Sequence, residues 1–138
     1  MIAYFDTSAF LKLVLEESGS DRARYLWRSC QEAVSSVLLY AESRAGLAMA
    51  HRLGRLSEFG RAREAVESLY AATHTVTADD HLIRRAGQLA EHLALRGYDA
   101  VHMASAELLR GPDLVFVSAD NRQAEAAGVL GLAIASVS

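Results

Sequence analysis

The sequence predicts a three-layer α/β/α fold, in which helices cover both faces of a mostly parallel five-stranded sheet. Five short apolar or β-branched segments alternate with helical segments along the whole chain. The fourth of them, residues 114–117, is almost wholly apolar, which is typical of a strand covered on both faces. Strands that alternate with helices form parallel sheets through right-handed crossovers.

Composition favours one soluble domain over residues 1–138. The chain has 138 residues, of which 51% are hydrophobic, so it can bury a real core. Its single cysteine, Cys30, excludes an intrachain disulfide and a cysteine-based zinc site. We find no apolar run long enough to cross a bilayer and no signal peptide pattern, so we expect a cytoplasmic protein without membrane contact. The net charge of −3 gives no overall attraction to nucleic acid.

The first half of the chain contains two predicted strands and three predicted helices. Small polar residues that suit helix caps separate them. In order, we predict a strand over Ile2–Phe5, a helix over 9–15, a helix capped by Ser20 or Asp21 and ending near Ser29, a strand over 33–36, and a long helix over 37–52.

The second half contains three predicted strands and four predicted helices. Glycine and proline mark several of the breaks between them. In order, we predict a helix capped by Ser57 and ending near Ala72, a strand over 73–77, a helix capped by Asp79 or Asp80 that runs to Arg96 and is ended by Gly97, a helix capped by Asp99 that runs to Arg110, a strand over 114–117, a helix over 122–127, and a weaker strand over 132–137.

Four acidic residues stand out from this pattern. Asp6 follows the first strand, Asp120 follows the fourth strand, and Asp99 opens a helix that is otherwise almost wholly apolar. If the first and fourth strands are neighbours, Asp6 and Asp120 lie side by side at their carboxyl ends, where α/β sheets bind ligands. Each aspartate has a simpler explanation as a helix cap.

Glu42 is harder to explain as a structural residue. Six residues of the long helix recur at three- and four-residue steps and are predicted to share one face: Leu38, Leu39, Glu42, Ala45, Gly46 and Met49. That face is apolar except for Glu42, and charged side chains are rarely buried without a partner. The alternative is that the helix phase is misjudged and Glu42 lies on the surface.

Taken together, the four acids predict a metal site. Carboxylates that share a pocket repel one another unless a cation is present. A site of carboxylate oxygens without histidine or cysteine ligands suits Mg²⁺ or Mn²⁺. Such an ion can activate water and polarise a phosphoryl oxygen, which is the chemistry of a metal-dependent nuclease.

Four short motifs resemble those of the PIN domain, and in particular the VapC-type toxins of toxin–antitoxin pairs. They are Asp6-Thr7-Ser8, Glu42, Tyr98-Asp99-Ala100 and Ser118-Ala119-Asp120. The resemblance implies the strand order 3-2-1-4-5. It also implies an Mg²⁺- or Mn²⁺-dependent endoribonuclease that acts on RNA, forms a homodimer and is inhibited by an antitoxin protein.

The resemblance assigns roles to individual residues. The acids that it implies as catalytic metal ligands are Asp6, Glu42, Asp99 and Asp120, with Ser8 and Ser118 as supporting polar residues. In this reading Asp6 is a ligand and the Thr7-Ser8 turn caps the helix instead, with the Thr7 side chain directed away from the site. His102 is more simply a buried histidine with satisfied hydrogen bonds than a ligand or a base.

Two other functional classes remain open from the residues alone. A receiver-like signalling domain also alternates strands and helices, with acids near the strand ends. Receivers usually carry a lysine after the last strand, whereas the only lysine here, Lys12, lies in the first predicted helix. The other class is a non-catalytic dimeric binding module, against which the intact set of acids argues.

Overall fold

A computed structural model describes residues 1–138, and five parallel strands form its single sheet. The strands are β1 (Ile2–Phe5), β2 (Glu32–Ser36), β3 (His74–Val76), β4 (Leu114–Ser118) and β5 (Ala133–Ser136). Their spatial order is β3-β2-β1-β4-β5, which confirms the expected order 3-2-1-4-5. The receiver-type order is 2-1-3-4-5, so this sheet does not have the receiver topology.

Seven helices cover the two faces of the sheet. They are α1 (Thr7–Leu11), α2 (Ser20–Ser29), α3 (Leu39–Arg52), α4 (Phe59–Ala71), α5 (Asp80–Leu93), α6 (Gly97–Leu108) and α7 (Asn121–Val129). Helices α1 to α4 contribute to one hydrophobic cluster, and α5 to α7 contribute to the other. No helix combines the length and the apolar character that a membrane span requires.

The alternation of side chains along the central strands builds both cores. In β1, Ala3 and Phe5 belong to the cluster under α1 to α4, whereas Tyr4 belongs to the cluster under α5 to α7. In β4, Phe116 and Val117 divide between the two clusters in the same way. Because successive side chains point to opposite faces of a strand, a central strand needs apolar residues at nearly every position.

The predicted caps of α2 and α4 are wrong. Helix α2 is preceded by Gly19 in the left-handed region at φ 88°, and neither Ser20 nor Asp21 caps it. The Ser20 hydroxyl instead donates to the backbone oxygen of Leu15 at 2.7 Å, so the preceding turn uses it. Helix α4 follows Glu58 without any side-chain cap, so Ser57 does not have the predicted role.

The junction between α5 and α6 also differs from prediction. Helix α5 ends at Leu93, and Ala94 reverses the chain in the left-handed conformation at φ 54°. Gly97 is therefore the first residue of α6 rather than the end of α5, and Asp99 lies in the first turn of α6 rather than at its cap. After the reversal, Leu95 packs against the hydrophobic cluster under α5 to α7.

Candidate active site

The centre of the candidate site is the edge where β1 and β4 end. These strands pair in parallel with Phe5 opposite Val117, and the backbone N–H of Asp6 donates to the Val117 oxygen at 3.2 Å. Asp6, which follows β1, and Ser118, the last residue of β4, therefore meet at one point. This contact follows directly from the strand order, which places β1 beside β4.

Asp6 is a buried carboxylate that receives three hydrogen bonds. Only 3% of the residue is exposed. Its Oδ1 accepts from the Ser8 hydroxyl at 2.7 Å and from the Ala9 N–H at 3.0 Å, and its Oδ2 accepts from the Ser118 hydroxyl at 2.5 Å. Burial raises the pKa of Asp6 above its ordinary value, although the charge of a protonated His102 and these three hydrogen bonds oppose the effect.

The expected division of roles between Asp6 and the next two residues is wrong. Asp6 itself caps α1, because its side chain accepts from the Ala9 N–H while its backbone is extended. Helix α1 accordingly starts at Thr7, two residues before the predicted start, and it ends at Leu11. Asp6 is thus a helix cap as well as a candidate site residue.

Ser8 and Ser118 join the two strand ends. Besides bonding Asp6, the Ser8 hydroxyl oxygen accepts from the Ala119 N–H at 2.9 Å, and the Ser118 hydroxyl oxygen accepts from the Asp120 N–H at 3.0 Å. The turn after β4 is therefore fastened to the start of α1 through two hydroxyl groups. Both serines lie where a supporting polar residue is expected, against the Asp6 carboxylate.

Glu42 lies at the margin of the buried face of α3. The buried residues of this helix are Leu39, Ser43, Leu47 and Ala50, whereas the predicted face included the exposed Met49. The predicted helix phase was therefore displaced by about one residue. The Glu42 side chain is still mostly covered, with 21% exposed, so it is not a surface residue.

Two donors hold the Glu42 carboxylate. Its Oε1 accepts from the Thr7 hydroxyl at 2.8 Å and lies 2.7 Å from Nε2 of His102. Thr7 therefore points towards the candidate site, and the expectation that it points away is wrong. Gly46 allows this approach of α1 to α3, since a Cβ atom there would lie 2.7 Å from a methyl carbon of Leu11.

His102 is buried and satisfied, as predicted. The residue is 1% exposed, and its Nδ1 lies 2.9 Å from the Tyr4 hydroxyl. The sequence did not indicate that its other nitrogen would bond Glu42, because the two residues are 60 positions apart in the chain.

Asp99 and Asp120 line a second part of the site. Both border a cavity of about 200 Å³ together with Arg96 and Arg122. Oδ2 of Asp99 accepts from Nε of Arg96 at 3.1 Å, and Oδ1 of Asp120 caps α7 by accepting from the Arg122 N–H at 2.9 Å. The structure thus places these two acids beside one cavity.

Arg96 connects the acids electrostatically. The hydrogen bond to Asp99, together with the negative charges of Asp99, Asp120 and Glu42, raises the pKa of Arg96. The guanidinium group of Arg96 pairs with Asp99 at the protein surface, where 79% of the arginine side chain is exposed. Arg96 lies only three residues before Asp99, so this ion pair is local in the sequence.

The donor set fits a hard divalent cation, although the side chains do not enclose an ion-sized space as they stand. No three acidic, histidine or cysteine side chains converge on one point, and the carboxylates of Asp6, Glu42 and Asp99 are bonded to protein donors. Asp99 and Asp120 nevertheless border one cavity, Glu42 lies near enough to raise the pKa of the same Arg96, and Asp6 is buried with a raised pKa. Oxygen ligands of this kind are those that Mg²⁺ and Mn²⁺ prefer.

Comparison with known proteins identifies the family. The model of the PIN domain matches residues 3–129. Ribonuclease VapC45 and Ribonuclease VapC49, both of Mycobacterium tuberculosis, are each 43% identical over 136 residues, which cover 97% of this chain and 94% of each relative. A toxin–antitoxin complex from Klebsiella pneumoniae contains a chain that superposes with a TM-score of 0.71 at 18% identity, covering 99% of this chain and 98% of that chain. The fold, the acidic motifs and these matches agree, and the chain therefore belongs to the PIN domain family.

Proposed function

We propose that the protein is an Mg²⁺- or Mn²⁺-dependent endoribonuclease and the toxin of a toxin–antitoxin pair. The observation that carries the proposal is the buried Asp6 carboxylate at the central sheet edge, where it bonds Ser118 two residues before Asp120; Asp120, Asp99 and Glu42 in turn all act on the charge of Arg96. The curated relatives, at 43% identity, are ribonucleases by name, which supports the reaction class. The residues that would hold the cation are Asp6, Glu42, Asp99 and Asp120.

The chain's own residues prepare the site for a phosphodiester substrate. Ser8 and Ser118 fix the orientation of the Asp6 carboxylate through its two oxygens. Arg96 and Arg122 line the cavity next to the acids and can bind the RNA backbone, because guanidinium groups pair well with phosphate. The bound cation would supply activation of water and polarisation of a phosphoryl oxygen.

Removal of divalent ions is expected to abolish RNA cleavage. Purified protein should cleave a mixture of transfer RNA and ribosomal RNA in Mg²⁺ or Mn²⁺ and should be inactive in EDTA. Asp99→Asn should lower the cleavage rate about 100-fold, because it removes a charged ligand from the cation site. Gel analysis of the RNA products measures both effects.

Asp113→Asn is the matched control for this experiment. Asp113 is exposed and precedes β4, so it lies at the opposite edge of the sheet from Asp120. We expect its cleavage rate to equal that of the unmodified protein. Cleavage that persists in EDTA would contradict the proposal, and calorimetry that shows no binding of Mn²⁺ would instead favour a non-catalytic binding module.

The proposal includes a homodimer and an antitoxin partner. The Klebsiella pneumoniae neighbour is part of a toxin–antitoxin complex, which supports the partner. An apolar cavity of about 410 Å³ between α5 and α6 supports self-association, because the Ile83 and Tyr98 beside it are 43% and 67% exposed.

Light scattering after gel filtration is expected to give twice the 14.9 kDa mass of one chain. Ile83→Glu should reduce this mass to that of a monomer, since a charge in an apolar contact is costly. Tyr25→Glu is the control, because Tyr25 is also exposed, at 61%, but lies on α2, on the other face of the sheet. A monomeric unmodified protein would contradict the homodimer.

A further inference from the structure

We propose that His102 is a positioning residue for the reaction, and that it acts with Thr7 to hold one oxygen of Glu42. This inference rests on the proposed nuclease function and deepens it. Both residues bond the same oxygen, Oε1, at 2.7 Å and 2.8 Å. The structure records no hydrogen bond to the other oxygen, Oε2, which remains available to the site.

The protons of this network can be assigned from the bonding partners. An ionised carboxylate can only accept hydrogen bonds, so Nε2 of His102 carries the hydrogen that faces Glu42. In a neutral imidazole, Nδ1 is then the acceptor, and the Tyr4 hydroxyl donates to it at 2.9 Å. Burial raises the pKa of Tyr4, so its hydroxyl keeps the proton that it donates. The chain of donors therefore runs from Tyr4 through His102 to Glu42.

The surroundings of His102 prevent the ring from turning. Tyr4 is fully buried, and its ring stacks on Phe116 with centroids 5.4 Å apart and an interplanar angle of 11°. The His102 ring meets the Tyr4 ring edge-on at 5.8 Å and 84°. On α6, the neighbouring Val101 and Met103 are also buried. A rigid imidazole is thus presented to a flexible glutamate side chain.

This arrangement explains how Glu42 can serve the site from the margin of α3. A glutamate side chain has several rotatable bonds, and an unsupported one at a helix margin would sample many orientations. Thr7, at the start of α1, and His102, on α6, restrict the Glu42 side chain to one orientation. The side chain therefore loses less conformational entropy when a cation binds. Residues that orient metal ligands through hydrogen bonds typically change affinity or activity by about 10- to 100-fold when they are removed.

Three substitutions test the proposal. Thr7→Val keeps the shape of the side chain and removes one donor, and His102→Leu removes the other. His102→Gln keeps an N–H group near the position of Nε2. We expect Thr7→Val and His102→Leu to weaken Mn²⁺ binding, measured by calorimetry without RNA, about 10- to 100-fold. We expect His102→Gln to recover most of the loss.

Thr73→Val is the matched control for Thr7→Val. Its hydroxyl is also partly buried, but it donates to the backbone oxygen of Leu69 at 2.7 Å, after α4 and away from the acids. We expect this variant to bind Mn²⁺ as the unmodified protein does. Thermal unfolding of every variant reports on folding, and if His102→Leu does not fold, Thr7→Val decides the question.

The possible results separate this inference from the proposed function. Weaker Mn²⁺ binding by folded Thr7→Val protein, with recovery in His102→Gln, supports the positioning role. Unchanged Mn²⁺ affinity and cleavage in folded Thr7→Val and His102→Leu proteins would show that the network serves only stability, and it would leave the nuclease intact. Failure of the unmodified protein to bind Mn²⁺ and to cleave RNA would overturn both.

Discussion

Asp6→Asn is expected to lower RNA cleavage about a thousand-fold and to leave the protein folded. A bound divalent cation contributes several kcal/mol to the stabilisation of the transition state, and Asp6 is the most buried of its proposed ligands. Asparagine keeps the shape of the side chain and can still accept from the Ala9 N–H. The Ser8 hydroxyl can go on donating to the same oxygen, and the Ser118 hydroxyl, which bonds the other position, can rotate to accept from the amide.

The same substitution should raise stability when no divalent ion is present. Burial raises the pKa of Asp6, so the folded protein binds this proton more tightly than the unfolded chain does. As pH rises from the unfolded pKa, about 3.9, through the raised folded pKa, the free energy of unfolding therefore falls. Asparagine carries no charge, so Asp6→Asn should be at least as stable as the unmodified protein at neutral pH. Urea unfolding from acid to neutral pH measures the difference in free energy of unfolding between Asp6→Asn and the unmodified protein. We expect this difference to disappear in acid.

Asp79→Asn separates the loss of a helix cap from the loss of a functional acid. Asp79 caps α5 with an extended backbone and accepts from the Leu82 N–H at 2.9 Å, much as Asp6 caps α1 with a bond of 3.0 Å to Ala9. It lies outside the candidate site, so we expect full cleavage activity from this variant. If Asp6→Asn and Asp79→Asn lost equal amounts of cleavage activity, Asp6 would matter only as a helix cap.

Gly19→Ala is expected to lower the free energy of unfolding by about 2–4 kcal/mol. Gly19 has φ 88°, a left-handed conformation that costs a residue with a Cβ atom about 1–2 kcal/mol. A Cβ atom there would also overlap the backbone oxygen of Val137, which cannot move as a flexible side chain would. Nearby, Nε of Arg22 donates to the Ser136 oxygen at 3.0 Å, so the loop before α2 and the end of β5 are held together.

Gly60→Ala provides the control for this substitution. Gly60 lies in α4 in an ordinary helical conformation, and a Cβ atom there would meet nothing within 4 Å. Alanine favours helices over glycine, so we expect stability to stay the same or to rise by up to about 1 kcal/mol. Equal free energies of unfolding for Gly19→Ala and Gly60→Ala would contradict the prediction. They would show that a Cβ atom fits at residue 19 beside the backbone of Val137.

Much of the fold was predictable because its signals are local. The alternation of short apolar segments with helices reflects periods of two and of about 3.6 residues, which depend only on neighbours in the chain. Asp6 and Asp120 were recognisable because each directly follows a central strand, and the PIN-domain resemblance supplied the strand order. The predicted cap of α2 and the predicted end of α5 were wrong. At these places the left-handed backbone conformation of Gly19 or Ala94, and not a polar side chain, sets where the helix begins or ends.

The sequence by itself determined the alternation of elements, the family, and the acids that belong to the candidate site. Only the tertiary structure decided what holds those acids. Thr7 and His102 lie 35 and 60 positions from Glu42 in the chain, and no local pattern records that they bond the same oxygen. Such contacts depend on the exact phase of α3 and on the approach of α1 at Gly46, which arise from packing of the whole domain.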